Sequence, residues 1–324
     1  MADEKWSHLP LVNPERAEAA RLEATELEAL TTQSRGKRYG YYLKKSGPGW
    51  MQSAMTLGGG SAIASLSLGA SFGFELLWIQ PLAMLVGIIM LAAHAHQTLS
   101  TGRRPFNAMA EYVHPLLAWG WVLATLISTV IWDFPQFALA AGMAEDIVKV
   151  ITGWQPEGTM RSIYLLSISV GIFVVCTAVV WNYNRGLRGV KIFDRVLKGL
   201  IWLILMCFLV VIVRATLAGE VKWGAVLAGF IPNKIPTDKY GVTTVMAAFG
   251  SAVGINMTFL FGYSLLARGW GRAHRGLAKF DLLTGMFLPY VLATSLMVMA
   301  AAITLHGKIP YGSMISPVQA AETI

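Results

Sequence analysis

Polar chemistry is scarce within the long apolar stretches of this sequence, so the few residues that carry it stand out. Asp133, in the run IWDFPQF, is an acid deep in a segment otherwise fit to cross a bilayer. A charge at the centre of a spanning helix costs about 2.5–3.5 kcal/mol on insertion scales, so it faces protein or a water-filled path. Gln136 lies three residues on and shares its helical face. Pro135 lies between them and is expected to break the backbone ladder locally. The group suits either a proton or ion pathway or a structural hydrogen-bond network.

Two further clusters combine glycine with ligand-type side chains. The first is Gly58, Gly59, Gly60 and Ser61, at the middle of GPGWMQSAMTLGGGSAIASLSLGA. Glycine costs roughly 1 kcal/mol relative to alanine inside a helix. Three in a row point to a place where the helix opens and exposes backbone ligands, or to a seam where another helix comes close. The second cluster is Gly254, Asn256, Met257 and Thr258 in FGSAVGINMTFLFGYSLL. Asn256 brings an amide, and Met257 a thioether that is a soft metal ligand or a packing side chain. His94 and His96, two apart in HAHQ, diverge by about 200 degrees on a helix and read as polar residues at a membrane surface, not as a metal pair.

The elements that position these residues are membrane spans. With 55% hydrophobic residues, 14% charged residues and positive mean hydropathy, the chain reads as a polytopic all-α membrane protein. Seven stretches reach the roughly 20 apolar residues a bilayer requires. They lie near Trp50–Ser71, Leu76–Leu99, Pro115–Met143, Ser162–Trp181, Phe193–Val213, Val242–Ala267 and Leu282–Leu305. The two glycine-interrupted spans are thus the first and the sixth. Corresponding interrupted helices in two halves of a transporter point to its binding site.

The net charge of +8 raises the possibility of nucleic acid, but its distribution decides against it. Nineteen Lys and Arg fall on one side of the spans and seven on the other, the positive-inside bias of a multi-pass plasma or inner membrane protein with a cytoplasmic N-terminus. Residues 1–46 read as a cytoplasmic N-terminal tail, with a short, mostly acidic helix over Glu15–Leu30. Tyr39, Tyr41, Tyr42, Lys44 and Lys45 read as an interfacial anchor. Residues 47–324 form the transmembrane domain, five helices as one repeat and two as the start of a second. Cys176 and Cys207 are expected to be buried small hydrophobes, Asp194 and Lys198 an i,i+4 pair, and Pro289 a bend. The connection Ala215–Tyr240 is expected to form a lid or short surface helix. No span or loop brings a nucleophile, base and orienter together, so an enzyme is not expected.

Several motifs together resemble the natural resistance-associated macrophage protein family of proton-coupled divalent metal transporters. They are GPGW at Gly47–Trp50 with its spacing to the glycine cluster, LGASFGFELLW from Leu68 to Trp78, the acid of the third span, and FDRVLKGL at the start of the fifth. The resemblance implies a partial leucine-transporter-like inverted-repeat fold, covering the first seven of eleven or twelve helices. The missing spans would then come from a second chain or a longer polypeptide. It also implies that the family's Asp-Pro-Gly-Asn falls on Gly58, Gly59, Gly60 and Ser61, and its Met-Pro-His-Asn on Gly254, Ile255, Asn256 and Met257, with Gly60 alone kept. Of the third-helix acidic pair Asp133 keeps the first and Gln136 replaces the second. The second histidine of the sixth helix falls on Phe261, and Asp194 takes the place of a glutamate.

The expected function is secondary-active transport of a metal cation, proton-coupled as a symport, with an altered substrate site. The alternatives are a non-transporting or partial subunit and a carrier of a non-metal small solute. Gly58, Ser61, Asn256 and Met257 are the candidate metal contacts. Gly59, Gly60, Asp133, Gln136, Gly254 and Thr258 are assigned to the substrate or coupling path. No cofactor is expected; a divalent cation enters as substrate, and protons and the lipid bilayer are the other partners.

Overall fold

The computed structural model describes residues 14–30, 32–183 and 187–312. They form fourteen α-helices and, among the described residues, no strand. Two helices precede the bundle, α1 (Pro14–Leu30) and α2 (Arg35–Lys45). The first span is two short helices, α3 (Pro48–Thr56) and α4 (Gly59–Phe72). Then come α5 (Ile79–Thr101), the short α6 (Pro105–Tyr112), α7 (Pro115–Thr152), α8 (Gly158–Tyr183) and α9 (Leu187–Leu217). The connection after α9 holds α10 (Trp223–Gly229), a short helix as expected. The sixth span is again split, into α11 (Lys239–Ala252) and α12 (Ile255–Ala267). The seventh runs through α13 (Arg275–Leu282), a π-helical turn at Leu283–Phe287 and α14 (Leu288–Thr304).

By length and composition, six helical stretches among the described residues can cross a membrane; the seventh expected span is the divided α3–α4. Both interruptions arise where the chain leaves helical geometry for two residues. Gly58 is extended, at φ −106° and ψ −170°. At the second break Val253 and Gly254 are extended, at φ −142° and −85°.

Several expectations are corrected. The helix of the third span passes its expected end at Met143 and runs to Thr152, where Gly153 stops it at φ +70°. Its extension is held by Glu145, which accepts from Arg161 of α8 at 2.8 and 3.0 Å. At Pro135 the ladder lacks one N–H, as expected, but the helix does not end there. Just before Pro289, where a bend is expected, the helix passes through a π-helical turn, a kind of irregularity at which helices kink. Cys176 and Cys207 are exposed. In an apolar helix the sequence does not tell the core face from the others, and neither thiol lies on the core face.

Asp194 pairs across the bundle, accepting from Arg268 at 2.8 Å through both oxygens, while Lys198 donates to the Ser46 carbonyl at 3.2 Å. The aromatic anchor packs on protein. Tyr39 and Tyr42 meet the ring of Phe280 at 5.4 Å each, and Lys45 pairs with Glu23 at 2.7 Å. Leu27 of α1 is buried in the main core with Leu277 and Trp270, so the segment before the first span is a helical pair docked on the bundle, with Leu22 and Leu43 left exposed. One end of the bundle carries α1, α2 and the Arg268–Lys279 stretch and is called the basic end below.

Candidate functional site

The two breaks face one cavity of about 340 Å³. Gly58, Gly60 and Ser61 from the first break, Gly254, Asn256 and Met257 from the second, and Asp133 and Gln136 from α7 all line it. Residues far apart in sequence are brought together because α7 packs against both α4 and α12. Gly59 and Thr258 are the two site candidates outside the lining. The Gly59 N–H is bonded to Gln136 at 3.0 Å, and the Thr258 hydroxyl turns back to its own helix, donating to the Ile255 carbonyl at 2.7 Å.

The glycine triplet serves both roles that its composition allowed. It is the break, and it is also the surface on which α7 lies. Trp132, Gln136 and Leu139 recur at helical spacing on one face of α7. A Cβ at Gly60 would sit 2.5 Å from the Trp132 ring, and one at Gly59 2.7 Å from Leu139 and 3.0 Å from Gln136. A larger residue at either position would force these side chains, or the third span with them, to shift. With glycine there, the Gln136 carbonyl oxygen reaches the N-terminus of α4 and caps it.

A hydrogen-bonded chain fixes the far side of this half-helix. The Ser61 hydroxyl donates to the Gly58 carbonyl at 3.0 Å and Ser65 donates to the Ser61 carbonyl at 2.7 Å. Gln80 of α5 donates to Ser65 at 3.0 Å and accepts from the Tyr290 hydroxyl at 2.9 Å. Gln80, Ser65 and Tyr290 are fully buried. Buried polar groups that satisfy one another in this way specify a single arrangement.

The second break is tied to the first. Thr56, the last residue of α3, donates its hydroxyl to the carbonyls of Ala252 and Ser251 at 2.7 and 3.0 Å. Those carbonyls end α11, so one side chain spans the two interruptions. On α12 the Met257 sulfur accepts from the Gly254 N–H at 3.5 Å, and the Asn256 carbonyl oxygen accepts from the Met257 N–H at 2.9 Å.

At the basic end Asp281, with no solvent exposure, accepts from the Gly49 N–H at 2.5 Å and so caps α3. Gly49 is obligatory there, since a Cβ would collide with the Asp281 backbone. Thr56, Ser251, Trp132, Met55 and Asp281 are contributors that sequence reasoning missed. Met55 had a readable signal, its place three residues before Gly58. Asp281 did not stand out because it falls beside the expected span boundary.

Asp133 is exposed and lines a second cavity as well, between α7 and α8, with Phe137, Cys176 and Thr177. Among the residues lining the main cavity it is the one ionisable side chain. Among the described residues no group of three His, Cys, Asp or Glu converges on a metal position.

A family model, natural resistance-associated macrophage protein-like, matches residues 49–323. The chain belongs to that family. Similar proteins include the divalent metal cation transporter MntH of Brucella suis, 27% identical over 82% of this chain and 56% of that protein. The manganese transporter pdt1 of Schizosaccharomyces pombe is 21% identical over 76% of this chain and 43% of its own length. The crystal structure of the Eremococcus coleocola manganese transporter, in complex with an aromatic bis-isothiourea substituted compound, superposes with a TM-score of 0.64. It is 14% identical, covering 90% of this chain and 60% of that one. The likeness establishes the fold. The chain spans about half the length of the curated relatives it matches.

Proposed function

We propose that this chain forms the substrate-binding part of a secondary-active transporter that moves a metal cation across a membrane by alternating access. The observation that carries the reading is the convergence of two helix breaks, five spans apart, on one polar cavity with a carboxylate in its wall. Half-helix ends and unwound carbonyls near mid-membrane are how such carriers bind charged cargo. The relatives named above, transporters of divalent cations and of manganese, support the substrate class. Orientation with the basic end in the cytoplasm follows from the distribution of Lys and Arg. Asp133, facing both the main cavity and the one between α7 and α8, is the coupling residue for protons. The spans that the relatives carry beyond the matched region complete the working unit, in this polypeptide or in a second chain.

The test is flux in proteoliposomes containing the protein as purified from its native membrane with any accompanying spans. Radioactive manganese, silver, magnesium and candidate organic solutes are offered with and without a pH gradient. Uptake of a metal cation supports the reading; no flux of any solute by a demonstrably folded preparation contradicts it.

A further inference from the structure

The cavity is poorly matched to a divalent ion. Asp133 is the one ionisable side chain lining it. The helices α4 and α12 begin at the two breaks and α3 and α11 end there, so their opposite end charges offset one another. The Gln136 oxygen that caps α4 is neutral and adds no charge. A divalent ion would therefore leave one positive charge without a partner, whereas a monovalent one is matched by a single carboxylate.

The uncharged donors point the same way. Met55 lies three residues before Gly58, and Met257 lies three residues after Gly254, so each break is flanked by one thioether. Both methionines line the cavity, and the Met257 sulfur is already turned toward its break. Two carbonyls of the second break, which would serve a hard cation, are engaged by the Thr56 hydroxyl. Thioethers favour soft d10 ions over manganese, magnesium and calcium, which prefer oxygen.

We propose that the cargo of this cavity is a soft monovalent metal ion of the Cu(I) or Ag(I) kind, held by the thioethers of Met55 and Met257 with the Asp133 carboxylate as counter-charge. The inference rests on the reading of the cavity as the transport site. If the methionines serve only as adaptable packing, leucine replaces them without consequence for ion binding.

The probe is Ag(I), which needs no reductant, measured by equilibrium dialysis against the full-length protein in chloride-free buffer. Because Cys176 and Cys207 are exposed and bind silver themselves, the parent for the comparison is C176S/C207S. In that background M55L/M257L keeps volume and apolarity, and its melting curve reports folding. Silver affinity is expected to fall at least about tenfold in the leucine variant, while excess Mn(II) fails to displace silver from the parent. Equal silver affinity in the two proteins, or displacement by comparable Mn(II), overturns the proposal. Should the double variant not fold, the single variants M55L and M257L are read by the same criterion. Manganese uptake without methionine-dependent silver binding removes this inference and keeps the transport reading. Methionine-dependent silver binding without flux of any solute keeps the site and removes that reading.

Discussion

The two halves of the first span begin in the same way, with a helix N-terminus whose amides need an acceptor, and they satisfy it differently. At the basic end α3 is capped by the buried Asp281 carboxylate, 2.5 Å from the Gly49 N–H, with Arg268 paired to Asp194 and Lys198 bonded to Ser46 close by. At the cavity α4 is capped by the neutral amide of Gln136 at 3.0 Å. A carboxylate suits the first position because its oxygen accepts from an amide at the helix start and Arg268 and Lys198 lie near it. An amide suits the second because it caps without adding charge where cargo must pass. The cavity thereby keeps Asp133 as its one ionisable side chain.

The largest expected effect comes from removing the charged cap. Asp281→Ala orphans a buried amide and is expected to destabilise the protein by about 2–3 kcal/mol, read by thermal melting in detergent. Asp281→Asn, which keeps an acceptor, is expected to lose less. If both variants melt like the parent, Asp281 does not anchor α3.

The close packing at the other cap is tested next. Gly60→Ala drives a methyl group into the Trp132 ring and is expected to cost about 1–3 kcal/mol. Combining it with Trp132→Leu should recover part of that loss, a coupling that a double-mutant cycle measures. Strict additivity would mean that the two side chains do not meet.

Smaller again is the neutral bridge between the breaks. Thr56→Val removes one hydroxyl serving two carbonyls, with an expected cost of about 1 kcal/mol. The loss should also raise the rate of exchange between conformations, since α3 and α11 are then no longer tied. Unchanged stability and unchanged reactivity of a cysteine probe at Ala54 would break that part of the comparison.

The smallest effect is a pH dependence at the opposite end from Asp281. Asp238 accepts from the Gly241 N–H at 3.0 Å and from the Tyr311 hydroxyl at 2.8 Å. These bonds, the amide first, hold its carboxyl below the ordinary 3.8. Tyr311 is pushed up to about 12, by burial first and then by that carboxylate. A depressed carboxyl gives stability that is present above its unfolded value and lost as pH falls through the folded one. Amide exchange at Gly241 is therefore expected to quicken on acidification below the usual carboxylate range. Asp238→Asn, still a capping residue, should flatten that dependence. A dependence that persists in Asp238→Asn would have another source.

The local features were legible in sequence and the cross-bundle ones were not. The long apolar helices and the two breaks come from apolar length and from glycine, which act within a few residues. The Asp281 cap joins positions 232 apart in sequence, and Thr56 meets Ser251 across 195. Such pairs depend on the rotational setting of packed helices, which hydrophobic pattern alone leaves undetermined when a helix is apolar all round. The same limit explains Cys176 and Cys207. The segment before the first span read as a cytoplasmic tail because its buried contacts, Ala20 and Leu27, are only two residues within an acidic helix. At the site, the positions were legible and the partners were not: nothing near Gln136 in sequence tells that its oxygen caps a helix 77 residues earlier.

The central claim is that the cavity between the two breaks is a cation site whose charge is set by Asp133. Uptake of radioactive cation into proteoliposomes by the parent and by Asp133→Asn, with and without an inward proton gradient, tests it most directly. The account predicts that the variant loses gradient-driven uptake far more than passive exchange, on the order of tenfold or greater. Equal uptake by the two proteins under both conditions would contradict it.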